Sequence, residues 1–197
     1  HEDRPDEVTR SEWVIEEFVD ELAGLKEELN TLLAQAETAI DAINKRWIGE
    51  APMQLSQDNI DALAEAIAEA EVRIYTSKED YEDMIDWLTD ALNTLYELNA
   101  PDEDAEYYLR HLVGYNLSCS DGLILTQADT LDAAQRFRLI PVKDAMNTYN
   151  IYTNGMYVTV TDEENGTLAL TETPRDERGH FVARQVGVTM FTLQSAL

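Results

Sequence analysis

Acidic side chains are the first candidates for chemistry, because carboxylates three or four residues apart share one face of a helix. Glu16 with Asp20 and Asp83 with Asp86 have this spacing, and Asp90 lies two helical turns beyond Asp83. A carboxyl group acts as a general acid when it lies in a mostly apolar pocket. These pairs fall instead on the polar sides of amphipathic segments, in a chain with 40 acidic residues. We therefore expect solvated surface carboxylates, and we predict no catalytic residue.

The remaining reactive side chains are few and scattered. Cys119 is the single cysteine, so no intrachain disulfide can form, and its surroundings are typical of a loop. His111 lacks a metal ligand four residues further on, and His180 begins a predicted strand. Residues 162–166 cluster oxygen atoms but lack the spaced ligands of an EF-hand loop. We expect a packed thiol, ordinary histidines and a hairpin turn, with no metal site and no cofactor.

The sequence also lacks the common catalytic motifs. It has no Walker A loop, no Gly-rich dinucleotide turn, no G-x-S-x-G elbow and no HExxH pair. Asn116 and Asn165 each begin a match to the N-glycosylation pattern, which matters only for an exported protein. These observations favour a protein that is not an enzyme.

The charge of the chain is strongly negative and unevenly distributed. The net charge is -26, and residues 1–113 contribute 30 acids and 8 bases, a net of -22. No basic patch is visible, so we expect no nucleic-acid partner. No apolar run approaches the roughly 18 residues of a membrane span, and an anionic membrane would repel this surface. Hydrophobic residues make up 44% of the chain, which is enough to build a core.

Lysine is scarce among the basic residues. Four of the 14 bases are lysines, Lys26, Lys45, Lys78 and Lys143, and the other ten are arginines. An acidic, lysine-poor composition over the whole chain resembles the proteins of halophilic archaea and their viruses. At about 1 M salt the Debye length falls to about 3 Å, so repulsion between carboxylates is screened. The alternative interpretation is an ordinary acidic protein from a GC-rich genome.

A long amphipathic helix is the most specific feature of the pattern. Apolar residues recur at steps of three and four from Val14 to Trp47, close to a heptad seam. The predicted helix covers residues 11–48, would be roughly 55 Å long, and ends at Gly49 and Pro52. Because that length exceeds a compact domain of this size, we predict that part of the seam contacts other subunits. The predicted interface residues are Val14, Phe18, Leu22, Leu25, Leu29, Leu32, Ile40, Ile43 and Trp47.

The rest of the chain predicts an α+β fold in three parts. Residues 1–10 read as a flexible arm, residues 11–114 as a helical bundle, and residues 115–197 as a β-rich region with one short helix. The bundle includes a helix that starts at Ser56, a third that starts at Ser77 with Asp80, and a short fourth one near residues 102–113.

The β-rich region predicts a small antiparallel meander of four or five strands. The runs 149–153 and 156–161 flank Asn154 and Gly155, a dipeptide typical of a tight hairpin. Residues 123–125, 167–171, 180–184 and 186–193 are further strand candidates, and residues 128–138 are the predicted short helix.

These features lead to three functional hypotheses. The first is a structural or assembly protein, an oligomer of itself or with other structural proteins, located in the virion of a halophilic archaeal virus as a capsid, neck or tail-associated component. The second is a ligand- or partner-binding module in the cytoplasm or on the surface of a halophilic cell. A pocket lined by Trp13, Trp47 or Trp87 would support this hypothesis. The third is an acidic mimic of nucleic acid.

Overall fold

The described residues adopt an α+β fold of three helices and nine strands. A computed structural model describes residues 21–119, 122–127, 135–162, 164, 166–174 and 176–197. The helices are α1 (Glu21–Ala42), α2 (Gln57–Val72) and α3 (Lys78–Thr94), with short 3₁₀ turns at Lys45–Trp47 and Glu177–Gly179. The strands are β1 (Tyr107–Tyr108), β2 (Tyr115–Ser118), β3 (Ile124–Gln127), β4 (Arg136–Pro141), β5 (Thr148–Thr153), β6 (Met156–Asp162), β7 (Thr167–Thr171), β8 (His180–Gln185) and β9 (Phe191–Ser195).

Seven of the strands form one antiparallel sheet that branches at β5. The order β1-β4-β5-β6-β7 forms one path, while β8 pairs with the beginning of β5 and β9 pairs with β8. Strands β2 and β3 form a separate hairpin. A simple meander was the prediction, and β8 departs from it because the chain returns to β5 after β7.

Two hydrophobic cores hold the fold together. One lies among the helices, where Leu63, Met84 and Leu88 are completely buried. The other lies on the sheet around Phe137 and Val158. Met53, Leu55 and Leu98, which flank α2 and α3 in the chain, belong to the sheet core and join the two halves; these three side chains are all buried.

Local signals correctly predicted several elements. The Ser77 side chain accepts a hydrogen bond from the Asp80 N–H, and Asp80 binds back to the Ser77 N–H, so α3 begins with a capping box. Asn154 and Gly155 have φ values of 48° and 81°, which fits the tight turn expected between β5 and β6.

The long helix is shorter at its carboxyl end than we predicted. Helix α1 ends at Ala42 rather than near residue 48. The Asn44 backbone is extended, and its side chain accepts a hydrogen bond from the Arg46 N–H. Such a local bond offers the backbone an alternative to the helix. Residues 11–20 of the predicted helix, with Val14 and Phe18, lie outside the described residues, as does the predicted arm.

The predicted fourth helix is wrong. Tyr107 and Tyr108 form strand β1 and pair with Phe137 and Arg136, and the chain then turns at residues 111–114. The Arg138 side chain also binds the Glu103 carbonyl at 2.7 Å. These long-range contacts outweigh the helix preference of the segment, as tertiary context often does.

The prediction of a short helix over residues 128–138 is also wrong at the carboxyl end of that helix. Residues 128–134 lie outside the described residues, but β4 begins at Arg136. Phe137 and Leu139 are both buried, which is the two-residue alternation of a strand. The last predicted strand is shifted as well, since residues 186–190 form a turn and β9 starts at Phe191.

Candidate interaction surface

The predicted subunit seam lies mostly on the inner side of α1. Leu29 is only 4% exposed and belongs to the helical core, and Leu32, Ile40 and Ile43 pack against that core. Trp47 packs against the sheet core. These five residues therefore contribute to packing within the chain, and their role in a subunit contact stays a prediction.

The amino-terminal part of the seam has a different environment. Leu22 is 41% exposed, and Leu25 is half-buried. Leu22 is thus the seam residue among the described ones that is most accessible to another molecule. Val14 and Phe18 precede the described residues.

The opposite side of α1 borders an open groove of about 1000 Å³. Its lining consists mainly of small or uncharged polar side chains. These residues are Ala23, Lys26, Glu27, Asn30, Thr31, Ala34, Gln35, Thr38, Ala39, Ala42 and Tyr96. Lys26 and Glu27 are the two charged residues in this set. The groove therefore follows the outer face of α1 from Ala23 to Ala42 and also reaches Tyr96, which follows α3.

Two threonines make this face less polar than its composition suggests. The Thr31 hydroxyl donates to the Glu27 carbonyl at 2.8 Å, and the Thr38 hydroxyl donates to the Ala34 carbonyl at 2.8 Å. Both hydroxyl protons are thus used inside the helix, as is common for mid-helix threonines. A partner on this face would not have to satisfy these two donors.

The exposed faces of the other two helices are acidic, as α1 is outside the groove lining, where Glu28, Glu37 and Asp41 are exposed. Helix α2 exposes five acidic side chains and contains no base: Asp58, Asp61, Glu65, Glu69 and Glu71. Helix α3 exposes another five: Glu79, Glu82, Asp83, Asp86 and Asp90. Bringing two such faces together would cost electrostatic free energy in dilute salt. The groove lining on α1, with one base and one acid, carries fewer charges than the exposed faces of α2 and α3.

The carboxylates that could have done acid–base chemistry are solvated. Asp83, Asp86 and Asp90 are exposed on α3, whereas Glu16 and Asp20 lie outside the described residues. Hydrogen bonds from Thr76 and Ser77 lower the pKa of Asp80 to about 2. A general acid at neutral pH needs a raised pKa, so the shift at Asp80 has the opposite direction.

The cysteine and the histidines have structural surroundings. Cys119 is buried, with its Sγ 3.4 Å from Thr153 Oγ1. His111 lies in an exposed turn, where its Nδ1 accepts the Val113 N–H at 3.3 Å. His180 pairs with Asn150 in the sheet. This arrangement does not resemble a Cys–His pair, in which a histidine base activates the thiol.

The described part of the chain forms neither of the two candidate ligand sites that were weighed as alternatives, a cation site at residues 162–166 and a tryptophan-lined pocket. Within it, no group of three or more His, Cys, Asp or Glu side chains is placed to hold a metal ion. Asp162 Oδ1 accepts the Glu164 N–H at 3.0 Å, so this carboxylate supports the turn. Trp47 lies against the sheet core, and Trp87 is 38% exposed on α3. Neither tryptophan lines the groove, and Trp13 precedes the described residues.

Sequence reasoning missed the groove because it followed apolar residues alone. Large apolar side chains mark the inner face of α1, and the groove lies on the opposite face. Ala23, Thr31, Ala34, Thr38 and Ala42 recur near helical spacing on that face. This run of small residues was a visible signal, since small side chains permit close approach of two helices.

Comparison with known proteins leaves the function open. No protein-family model and no curated protein matches the chain. The helices of the described residues include none that is long and apolar enough to cross a membrane.

Proposed function

We propose that the chain is a non-enzymatic structural protein that assembles with copies of itself, as a capsid, neck or tail-associated component of the virion of a halophilic archaeal virus. The observation that carries the assembly proposal is the groove on α1, a weakly charged strip on a protein of net charge -26. The acidic, lysine-poor composition supports the halophilic setting. The virion location extends that resemblance.

The occupant that fits the groove best is α1 of a second copy in antiparallel orientation. If the midpoints of the two linings coincide, Ala23 opposes Ala42 of the other copy, and Thr31 opposes Ala34. Small residues at these positions allow the helix axes to approach toward the lower end of the usual 8–10 Å range. Each pair occurs twice, as a two-fold interface requires.

The charges on α1 favour the same orientation. Lys26 is the single base of the helix, while Glu37 and Asp41 lie near its other end on the same flank. A two-fold axis between antiparallel helices brings equal flanks together. Lys26 of one copy then lies within reach of Glu37 and Asp41 of the other, which gives two sets of opposite charges. In a parallel pair, Lys26 of one copy would lie about 17 Å along the axis from Glu37 of the other, so these opposite charges would not meet.

Light scattering across a salt series tests the proposal. We expect the mass to rise between dilute buffer and about 3 M salt, as the repulsion between copies is screened. Ala34→Arg adds bulk and charge in the centre of the groove and should reduce the mass at high salt. Ala62→Arg is the matched control, because Ala62 is an exposed alanine on α2.

A compact monomer at every salt concentration would contradict the assembly proposal. Equal effects of the two arginine substitutions would show that the α1 groove is not the contact surface. Thermal denaturation of both variants at low protein concentration checks that each one is folded.

A further inference from the structure

Strand β7 lies at one end of the branched sheet. It pairs with β6 on one side, with Val158 opposite Leu170, Thr159 opposite Ala169 and Val160 opposite Leu168. Among the described residues, no strand pairs with its other side. Alternate N–H and C=O groups of an antiparallel edge strand point away from its neighbour. This edge of β7 is therefore able to accept one more strand.

The sequence of β7 is uncharged and symmetric. It reads Thr-Leu-Ala-Leu-Thr from residue 167 to 171, the same in both directions. Exposed edge strands usually carry charged residues or proline, which prevent pairing with other chains. None of these occurs in β7, although 40 of the 197 residues of the protein are acidic.

The apolar face of the sheet continues to this edge without being covered. Leu168 and Leu170 stand directly opposite Val160 and Val158, which are buried in the sheet core. Leu170 is half-buried against that core, but Leu168 remains 40% exposed. An added strand would cover Leu168.

We propose that β7 pairs in antiparallel orientation with β7 of a second copy about a two-fold axis at Ala169. This pairing places Leu168 opposite Leu170 of the other copy, Thr167 opposite Thr171, and Ala169 opposite itself. The two sheets join into one continuous sheet, with their apolar faces aligned. The inference deepens the assembly proposal by naming a second contact and its partner, and it rests on self-association as that proposal does.

Acidic residues at the two ends of the strand make this contact dependent on salt. Asp162 and Glu164 precede β7, and Glu172 follows it. Antiparallel pairing brings Glu172 of one copy toward Gly166 and Glu164 of the other, at both ends of the interface. This repulsion opposes pairing in dilute buffer and is screened at about 1 M salt, where the Debye length is about 3 Å.

Site-directed crosslinking tests the register of the pairing. In the full chain with Cys119→Ser, which removes the only thiol, Ala169→Cys should form crosslinked dimers with a short bismaleimide at molar salt. Thr167→Cys alone should crosslink weakly, because its partner position is Thr171. A mixture of the Thr167→Cys and Thr171→Cys proteins should crosslink efficiently.

Two substitutions test the energetics without new thiols. Leu168→Lys should weaken self-association through β7 by about tenfold, because it introduces a charge twice in the interface. Thr192→Lys on the exposed edge of β9 is the control and should have little effect. Glu172→Gln should move the onset of pairing to lower salt, more than Glu65→Gln on α2 does.

The outcomes separate this inference from the assembly proposal. Oligomers at high salt without crosslinking through Ala169→Cys, or with equal crosslinking through Thr167→Cys alone, would overturn the β7 contact and leave assembly standing. Monomers at every salt concentration would overturn both.

Discussion

At the scale of single residues, Asp80 has the most distinctive environment. Its Oδ2 accepts hydrogen bonds from the N–H and the hydroxyl of both Thr76 and Ser77, each at 2.9 Å. Arg73 adds a longer charge contact, with Nη2 3.7 Å from Oδ1. The bonds from Thr76 are the main reason that the pKa falls to about 2, and the charged carboxylate therefore stabilises the turn before α3.

This environment predicts a pH dependence of stability. The folded pKa of about 2 lies below the ordinary aspartate pKa of 3.8, so the contribution of Asp80 is complete above about pH 4 and is lost as the pH falls toward 2. Asp80→Asn should lower the melting temperature at pH 7 and make much less difference near pH 2. Thermal scans at constant ionic strength measure the melting temperature of each variant at both pH values.

Asp83→Asn, on the exposed face of the same helix, controls for the removal of one charge. A loss of stability from Asp80→Asn that is equal at both pH values would contradict the role of the carboxylate.

Residue-level signals were predictable from the sequence where both partners lie within a few positions. Ser77 and Asp80 are three residues apart, and the capping box they form needs no other part of the chain. Asn44 was missed because its effect depends on competition between a side-chain bond and the continuing helix. A pattern of apolar residues does not indicate which of these two conformations, the capped turn or the continued helix, has the lower free energy.

At the scale of secondary-structure elements, α1 has two faces with separate roles. Its inner face supplies Leu29 and Ala36 to the helical core, and its outer face lines the groove. Two apolar residues of the pattern, Leu29 and Ala36, are buried in that core. The heptad pattern could not indicate whether the covering residues belong to the same chain, because cores and interfaces bury the same kinds of side chains.

Matched truncations on α1 distinguish folding from association. Leu29→Ala should lower the free energy of unfolding by about 3 kcal/mol, the usual cost of removing a buried leucine side chain. Leu22→Ala removes the same atoms from an exposed position and should cost less than about 0.5 kcal/mol in the monomer. Urea denaturation at low protein concentration compares the two. A small effect of Leu29→Ala under these conditions would mean that α1 is not packed as described.

The β elements show the limit of local reasoning more clearly. The hairpin of β5 and β6 was predictable because Asn154 and Gly155 adopt left-handed conformations that few residues tolerate. Strand β1 was not, because Tyr107 and Tyr108 pair with residues almost 30 positions later. The acidic run before Tyr107 favours a helix start when it is considered alone. The pairing of Tyr107 and Tyr108 with β4 makes this segment a strand instead of a helix.

At the scale of the whole molecule, hydrogen bonds from amide side chains join the helical half to the sheet. Asn147 accepts the Leu98 N–H at 2.8 Å and donates to the Tyr96 carbonyl at 2.8 Å. Gln185 accepts the Leu55 N–H at 3.1 Å and donates to the Trp47 carbonyl at 2.8 Å. Together with the shared core, these bonds place the α1 groove and the β7 edge on one cooperative structure.

The two contact surfaces proposed on α1 and β7 have a consequence for assembly. A single two-fold contact produces a dimer and then stops. Two different two-fold contacts on each copy link dimers to one another, so they produce either a closed ring with dihedral symmetry, of which a tetramer is the smallest, or an extended chain. A structural component of a larger particle requires more than one contact per copy, and the proposed surfaces on α1 and β7 meet this requirement.

The number of contacts per copy determines the expected size of each oligomer. At molar salt the wild-type protein should form species larger than a dimer, whereas Ala34→Arg alone and Leu168→Lys alone should each leave dimers that use the remaining surface. The double variant should be a monomer at every salt concentration, because both contacts are then lost. Light scattering coupled to size exclusion measures the masses of the wild type, the single variants and the double variant, and the control pair Ala62→Arg with Thr192→Lys should behave as wild type.

Monomers from either single variant would mean that one surface carries all the association. Species larger than a dimer in the double variant would place the contacts elsewhere on the molecule.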